Sequence, residues 1–165
     1  MGLRRRGLDG PTFRMREKMM AIGDDYWIED DDGNKVFKVN GKAARLRQTF
    51  ILEDTQGNEL SKIQEKKLTV RDKMTIERGD FHATVHKRLL GIRDHYIIEV
   101  DGAEDLKAHG NIVDHEYEIE RDGDSVARIS KRWFRVRDTY GVEIDAGEDA
   151  ALLLAAVVAI ESLTD

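Results

Sequence analysis

Hydrophobic and polar positions alternate in short stretches along most of this chain, and a Gly-containing polar turn separates each stretch from the next. Tyr26-Trp27-Ile28-Glu29 runs into Asp31-Asp32-Gly33-Asn34 and then Phe37-Lys38-Val39. Residues 50–53 lead through Thr55-Gln56-Gly57-Asn58 to residues 60–63, and residues 74–77 lead through Arg78-Gly79-Asp80 to residues 81–85. The same order returns at 96–100, Asp101-Gly102 and 106–108, and again at 117–120, Asp122-Gly123-Asp124 and 126–129. A period of two sends successive side chains to opposite faces, so one face packs while the other meets water. Two such runs across a glycine turn predict a β-hairpin.

The hairpins repeat a short unit. Val70-Arg71-Asp72-Lys73-Met74, Ile92-Arg93-Asp94-His95-Tyr96 and Val136-Arg137-Asp138-Thr139-Tyr140 are its strongest copies, with Leu46-Arg47-Gln48-Thr49-Phe50 close behind. Asp24-Asp25-Tyr26 and His115-Glu116-Tyr117 are weaker versions without the arginine. Positions 24, 48, 72, 94, 115 and 138 therefore register, at steps of 24, 24, 22, 21 and 23 residues. A unit of that length holds two strands, which predicts 11 or 12 in all. So many antiparallel strands favour a closed barrel, because closure removes unpaired edges; a two-sheet sandwich is the alternative. The only proline, Pro11, precedes the pattern and obstructs no ladder.

The period breaks at Gly147, where the chain reads GEDAALLLAAVVAIESLTD. Glu148 and Asp149 suit the positive end of a helix over about 149–163. That helix is apolar on almost every side, so it must be buried all round. A rod of about 5 Å radius fills the lumen of a barrel of about 12 strands. The expected fold is thus all-β with a central helix: a closed antiparallel barrel around a hydrophobic C-terminal helix. A helix exposed for dimerisation or membrane association is the competing reading. Residues 1–10 are expected to form a flexible basic tail and 11–165 a single domain.

Composition narrows the function classes. The 165 residues carry a formal charge of -6, which gives no general attraction to nucleic acid. Without cysteine there are no disulfides or thiolate metal sites, and a cytoplasmic location is expected, at most peripheral to a membrane. The longest apolar run, residues 150–160, is about half the roughly 20 residues that a helical span requires. No membrane-spanning segment is expected.

Several short stretches carry a family resemblance. Met15-Arg16-Glu17-Lys18, Ile28-Glu29-Asp30 ahead of Phe37-Lys38-Val39, residues 60–65 (LSKIQE), Asn111-Ile112 with Tyr117-Glu118-Ile119, and Ile129-Ser130-Lys131 resemble the LURP-one-related family. That family belongs to the Tubby C-terminal-like group, with the phospholipid scramblases. The resemblance spans about residues 11–163 and implies a barrel of 12 strands around a hydrophobic helix. It also implies a link to membranes or phosphoinositide headgroups, as in Tubby domains, and to defence, as in plant members. No Tubby headgroup motif maps onto this chain residue by residue. The cysteine-rich palmitoylation stretch of scramblases is missing, which argues against scramblase activity.

No reaction is identified by motif. The four serines, Ser61, Ser125, Ser130 and Ser162, include no G-x-S-x-G elbow. Ser130 reads as an exposed strand hydroxyl and Ser162 as a hydroxyl bonded to helix backbone. The five histidines make no H-E-x-x-H, and turn or surface positions are expected for them. Asp30-Asp31-Asp32-Gly33-Asn34 fails as a calcium loop because Val39 stands where the closing acid is needed, so it reads as a turn. No metal, cofactor or catalytic residue is therefore expected. The recurring cations are the candidates: Arg47, Arg71, Arg93 and Arg137 as an anion receptor at one barrel rim, or else strand-to-strand partners of the adjoining carboxylates. Lys67, Arg88, Lys131 and Arg132 form a second basic group, with Trp133 as an interfacial aromatic. The expected role is a non-enzymatic binding or scaffold domain for anionic lipid headgroups or phosphorylated ligands. The alternatives are a protein-interaction module or homodimer using Trp27 or Trp133, and a phosphate-ester or small-molecule enzyme with a rim pocket.

Overall fold

The computed structural model describes residues 10–17, 25–41, 47–67, 70–88, 95–133 and 138–164, with the side chains of 67 and 70–72 outside that description. Among these residues the strands are β1 (Thr12–Arg16), β2 (Tyr26–Asp30), β3 (Lys35–Gly41), β4 (Thr49–Glu53), β5 (Glu59–Lys67) and β6 (Val70–Arg78). They continue as β7 (Phe81–Arg88), β8 (His95–Val100), β9 (Leu106–Asn111), β10 (Glu116–Arg121), β11 (Asp124–Ser130) and β12 (Thr139–Ile144). A 3-10 turn, Lys131–Trp133, follows β11, and one helix, α1 (Ala150–Thr164), follows β12.

Each strand pairs antiparallel with the next, and β1 pairs with β12 to close the barrel. Met15 faces Tyr140 and Phe13 faces Val142 across that seam. The predicted unit is one outgoing strand, a tight turn and one returning strand, so the described registering positions, 48, 72, 115 and 138, fall at the same end. Two of the tight turns share a device. Asp30 accepts the backbone N–H groups of Asp32 and Asn34 at 3.0 and 2.8 Å, and Asp54 accepts those of Gln56 and Asn58, both at 2.9 Å. Gly33 and Gly57 supply the left-handed residue each loop requires, at φ 84° and 86°. These hydrogen bonds hold both aspartyl carboxyls below the usual range, the bonds from Asn34 and Asn58 contributing most.

The helix runs inside. Asp149 caps it, its Oδ1 accepting the Leu152 N–H at 3.1 Å while its Oδ2 accepts from Arg78 at 2.6 Å. Glu148 is bound by Arg121, so both acids tie the start of α1 to the barrel wall. From Leu153 to Ile160 every residue is buried. The alanines at 155, 156 and 159 are wholly enclosed and α1 lies nearest to β5, β6 and β7, where small side chains permit close approach. Leu153, Leu154, Val157, Val158 and Ile160 each contribute about 1.5–3 kcal/mol on burial. Together they match the roughly 5–15 kcal/mol by which a whole domain is stable. The barrel cannot dispense with its plug.

Candidate functional site

The two ends of the barrel differ in charge. At the turn end, where α1 begins, the connections are 31–34, 54–58, 79–80, 101–105, 122–123 and 145–149. Every one contains Asp or Glu and none contains Lys or Arg. At the rim, where α1 finishes, the described residues mix the cations Arg16, Arg47, Lys66, Arg88, Lys131 and Arg132 with the acids Glu17, Asp25, Asp114, Glu116 and Asp138. The acidic end follows from the repeat: a unit with acidic turns, copied around a closed barrel, gathers those turns at one end.

The predicted candidates divide three ways. Arg93 and Arg137 lie outside the described residues, as do the side chains of Lys67 and Arg71. Two others are internally engaged. Arg47 donates to the Lys66 carbonyl at 2.8 Å, and the Lys131 ammonium sits 2.7 Å from Glu17, which raises the lysine pKa chiefly through that hydrogen bond. Arg88 is exposed at the end of β7. Arg132 is 86% exposed and only 3.9 Å from Glu116, and Trp133 beside it is 40% exposed. Trp27, the other aromatic singled out in the sequence, is half-buried beneath the Lys35 and Lys38 ammonium groups at 5.3 and 5.8 Å. Its ring is covered and unsuited to docking.

A groove of about 480 Å³ runs up the outside of β9, β10 and β11 to this corner of the rim. Arg128, Ser130, Arg132 and Trp133 form one wall, His109 and Glu118 the other. Gly110 lines it too, at φ 128°; an added Cβ would lie 2.8 Å from the Glu116 carbonyl. Ser130 is not the exposed hydroxyl its strand pattern suggested. It is 6% exposed, donates to Glu116 at 3.0 Å and accepts the Arg132 N–H at 3.1 Å. With the Lys131 N–H also on Glu116 at 3.0 Å, this pair fixes the 3-10 turn and therefore the placement of Arg132 and Trp133.

Behind the rim is a buried polar network that sequence reasoning missed. Glu161 of α1, 6% exposed, accepts from Tyr117 Oη at 3.1 Å and lies 2.9 Å from His115 Nδ1. The His115 ring stacks on Tyr140 with centroids 4.5 Å apart and planes 4° apart. Its Nε2 lies 3.8 Å from Glu17, the carboxylate that holds Lys131. A chain of charges thus links the rim to the helix. His115 was expected at a turn or surface position; it is a turn residue, with left-handed backbone at φ 54°, but its side chain points inward and is 12% exposed. Ser162 likewise departs from expectation, donating to the Gln48 side chain at 3.0 Å. The helix is held at a fixed depth by these contacts.

Comparison with known proteins now bears on this geometry. The family model described as LURP-one-related matches residues 11–161. The chain belongs to the LURP-one-related family. An X-ray structure of an Arabidopsis thaliana protein is similar to this LURP-one-related chain, with a TM-score of 0.70 at 17% identity over 94% of this chain and 91% of that one. The likeness extends to the fold. A search of curated proteins finds no match. Among the described residues of this LURP-one-related barrel, no helix is long and apolar enough to cross a membrane.

The network also makes the barrel sensitive to alkali. Burial raises the Tyr26 and Tyr117 phenols well above their ordinary pKa, and the nearby Glu161 charge adds to the effect. In the unfolded chain both would ionise near pH 10. The folded state then binds more protons than the unfolded one, so the contribution is full below about pH 10 and is lost as pH rises beyond it. Tyr26 and Tyr117 are expected to ionise only as the barrel unfolds. In an alkaline titration followed by tyrosinate absorbance and circular dichroism, Tyr117→Phe should abolish part of the step that coincides with unfolding. Loss of amplitude from a step preceding unfolding would contradict the assignment.

Proposed function

We propose that this barrel is a non-enzymatic binding module whose rim docks onto anionic lipid headgroups at a membrane surface. The observation that supports the reading is that the turn end is uniformly acidic in its connections, which leaves the rim as the end where exposed cations stand. The chain is acidic in sum, yet an approaching surface feels mainly the nearer end. A strand of six residues spans about 20 Å, and charges are screened beyond about 8 Å at physiological salt. Arg16, Lys66, Arg88, Lys131 and Arg132 are exposed cations among the described residues of the rim, and Trp133 supplies an amphipathic ring of the kind that lodges at headgroup depth.

Co-sedimentation with vesicles tests this. Binding should rise with the fraction of phosphatidylserine or phosphoinositide, collapse in high salt, and be negligible on phosphatidylcholine. A basic residue near an anionic surface is worth about 1 kcal/mol, so the double variant Arg88→Gln/Arg132→Gln should bind roughly 30-fold more weakly. Absence of binding to anionic vesicles at low salt would overturn the proposal. A concentration-dependent mass in that case would favour the protein-interaction or homodimer reading.

A further inference from the structure

The outer wall beside the groove holds a second constellation that lipid docking does not use. Strand register produces it. His95 of β8 faces His109 of β9, His109 faces Glu118 of β10, and Glu118 faces Arg128 of β11. These side chains form one row across four strands, and Glu120, two residues on from Glu118, projects from the same face. His109 Nε2 lies 2.7 Å from Glu120 Oε1, and ligand-capable atoms of His109, Glu118 and Glu120 all lie within 4.8 Å of one another. All three are half-buried, and the His95 ring stacks on His109 with centroids 6.3 Å apart.

We propose that His109, Glu118 and Glu120 form a site for a divalent transition-metal ion of the zinc class. Ligand–metal distances for such an ion are about 2.0–2.2 Å, which places tetrahedral ligands about 3.4 Å apart, so the His109–Glu120 pair at 2.7 Å must open slightly while Glu118 closes in. One imidazole and two carboxylates suit zinc, manganese or ferrous iron. They are too few for calcium, which takes six to eight oxygens.

The surroundings are those of a supported site. Arg128 Nε is 3.2 Å from Glu118 Oε1. That is the outer partner which orients a ligating carboxylate in metal sites generally. The contact between His109 and Glu120 is a hydrogen bond, which a metal ion between the two atoms would replace. Lys107, the cross-strand neighbour of Glu120, is exposed and directed to solvent. Three protein ligands leave coordination positions open, and because His109 and Glu118 both line the groove, those positions face it.

Isothermal titration of the metal-stripped, untagged protein with ZnCl2 tests the inference. One equivalent should bind with a dissociation constant below about 100 µM, with a heat that varies with buffer because a proton is released. Calcium should not compete. Glu120→Gln keeps an acceptor for His109, so its melting temperature without metal should match wild type while its zinc affinity falls at least tenfold. His109→Gln should lose as much, whereas His86→Gln, which removes the separate His86–Glu99 pair, should change nothing. Failure to bind one equivalent, or equal affinity in Glu120→Gln and wild type, would overturn the site.

Discussion

Val157→Asp is expected to leave the protein without a cooperative thermal transition. Val157 sits mid-helix and is wholly enclosed by the barrel, out of reach of water. A carboxylate there loses its hydration, and the effective penalty is several kcal/mol even after relaxation. The lost valine packing adds about 1.5 kcal/mol or more. The sum is comparable with the entire stability of a domain. Leu153→Asp, one turn earlier, should behave alike. Val157→Ala is the control, since it removes volume without adding charge and should fold at a lower melting temperature. The test is a thermal melt followed by circular dichroism; near-wild-type melting of Val157→Asp would mean that α1 is not the barrel's core.

His115→Leu is expected to be the most damaging change in the polar network, by about 3–5 kcal/mol, because it strands the buried Glu161 charge. For a chain of this length that corresponds to a fall in melting temperature of roughly 6–20 °C. Glu161→Leu removes the charge itself and leaves only donors unpaired, at about 1–3 kcal/mol. The double variant His115→Leu/Glu161→Leu should therefore be more stable than His115→Leu alone. Urea unfolding of the four proteins gives the comparison. Additive losses would show that the two side chains do not interact energetically.

The fold was legible because it is written locally and many times. Alternation around Asp30–Asn34 and Asp54–Asn58 is enough to place β2 with β3 and β4 with β5, and a helix as oily as α1 has no stable position outside a shell of strands. The acidic turn end was legible for a related reason: a charge recurring with the hairpin turns must recur at one end. What the pattern could not show was which cations are already engaged. Lys131 meets Glu17 and Arg132 approaches Glu116 through turns whose geometry has no periodic signature. The interior network was hidden more deeply. His115 and Glu161 lie 46 positions apart, and Glu161 in sequence resembles any polar residue near the end of a helix. Only the depth to which α1 is inserted turns it into a buried anion. The row from His95 to Arg128 was latent in the strand register, but register is fixed by turns and bulges, such as the one between Ile119 and Glu120, that alternation alone does not locate.

The order of elements along the chain sets a timetable for biogenesis. A ribosome makes every wall strand before it makes the segment they enclose, and β1 must wait for β12 before the seam can close. At about 5–20 residues per second, that wait is roughly 6–26 s. Throughout it the nascent chain shows two bare edges and an uncovered greasy lining, so chaperone protection matters most in the interval before β12 and α1 become available.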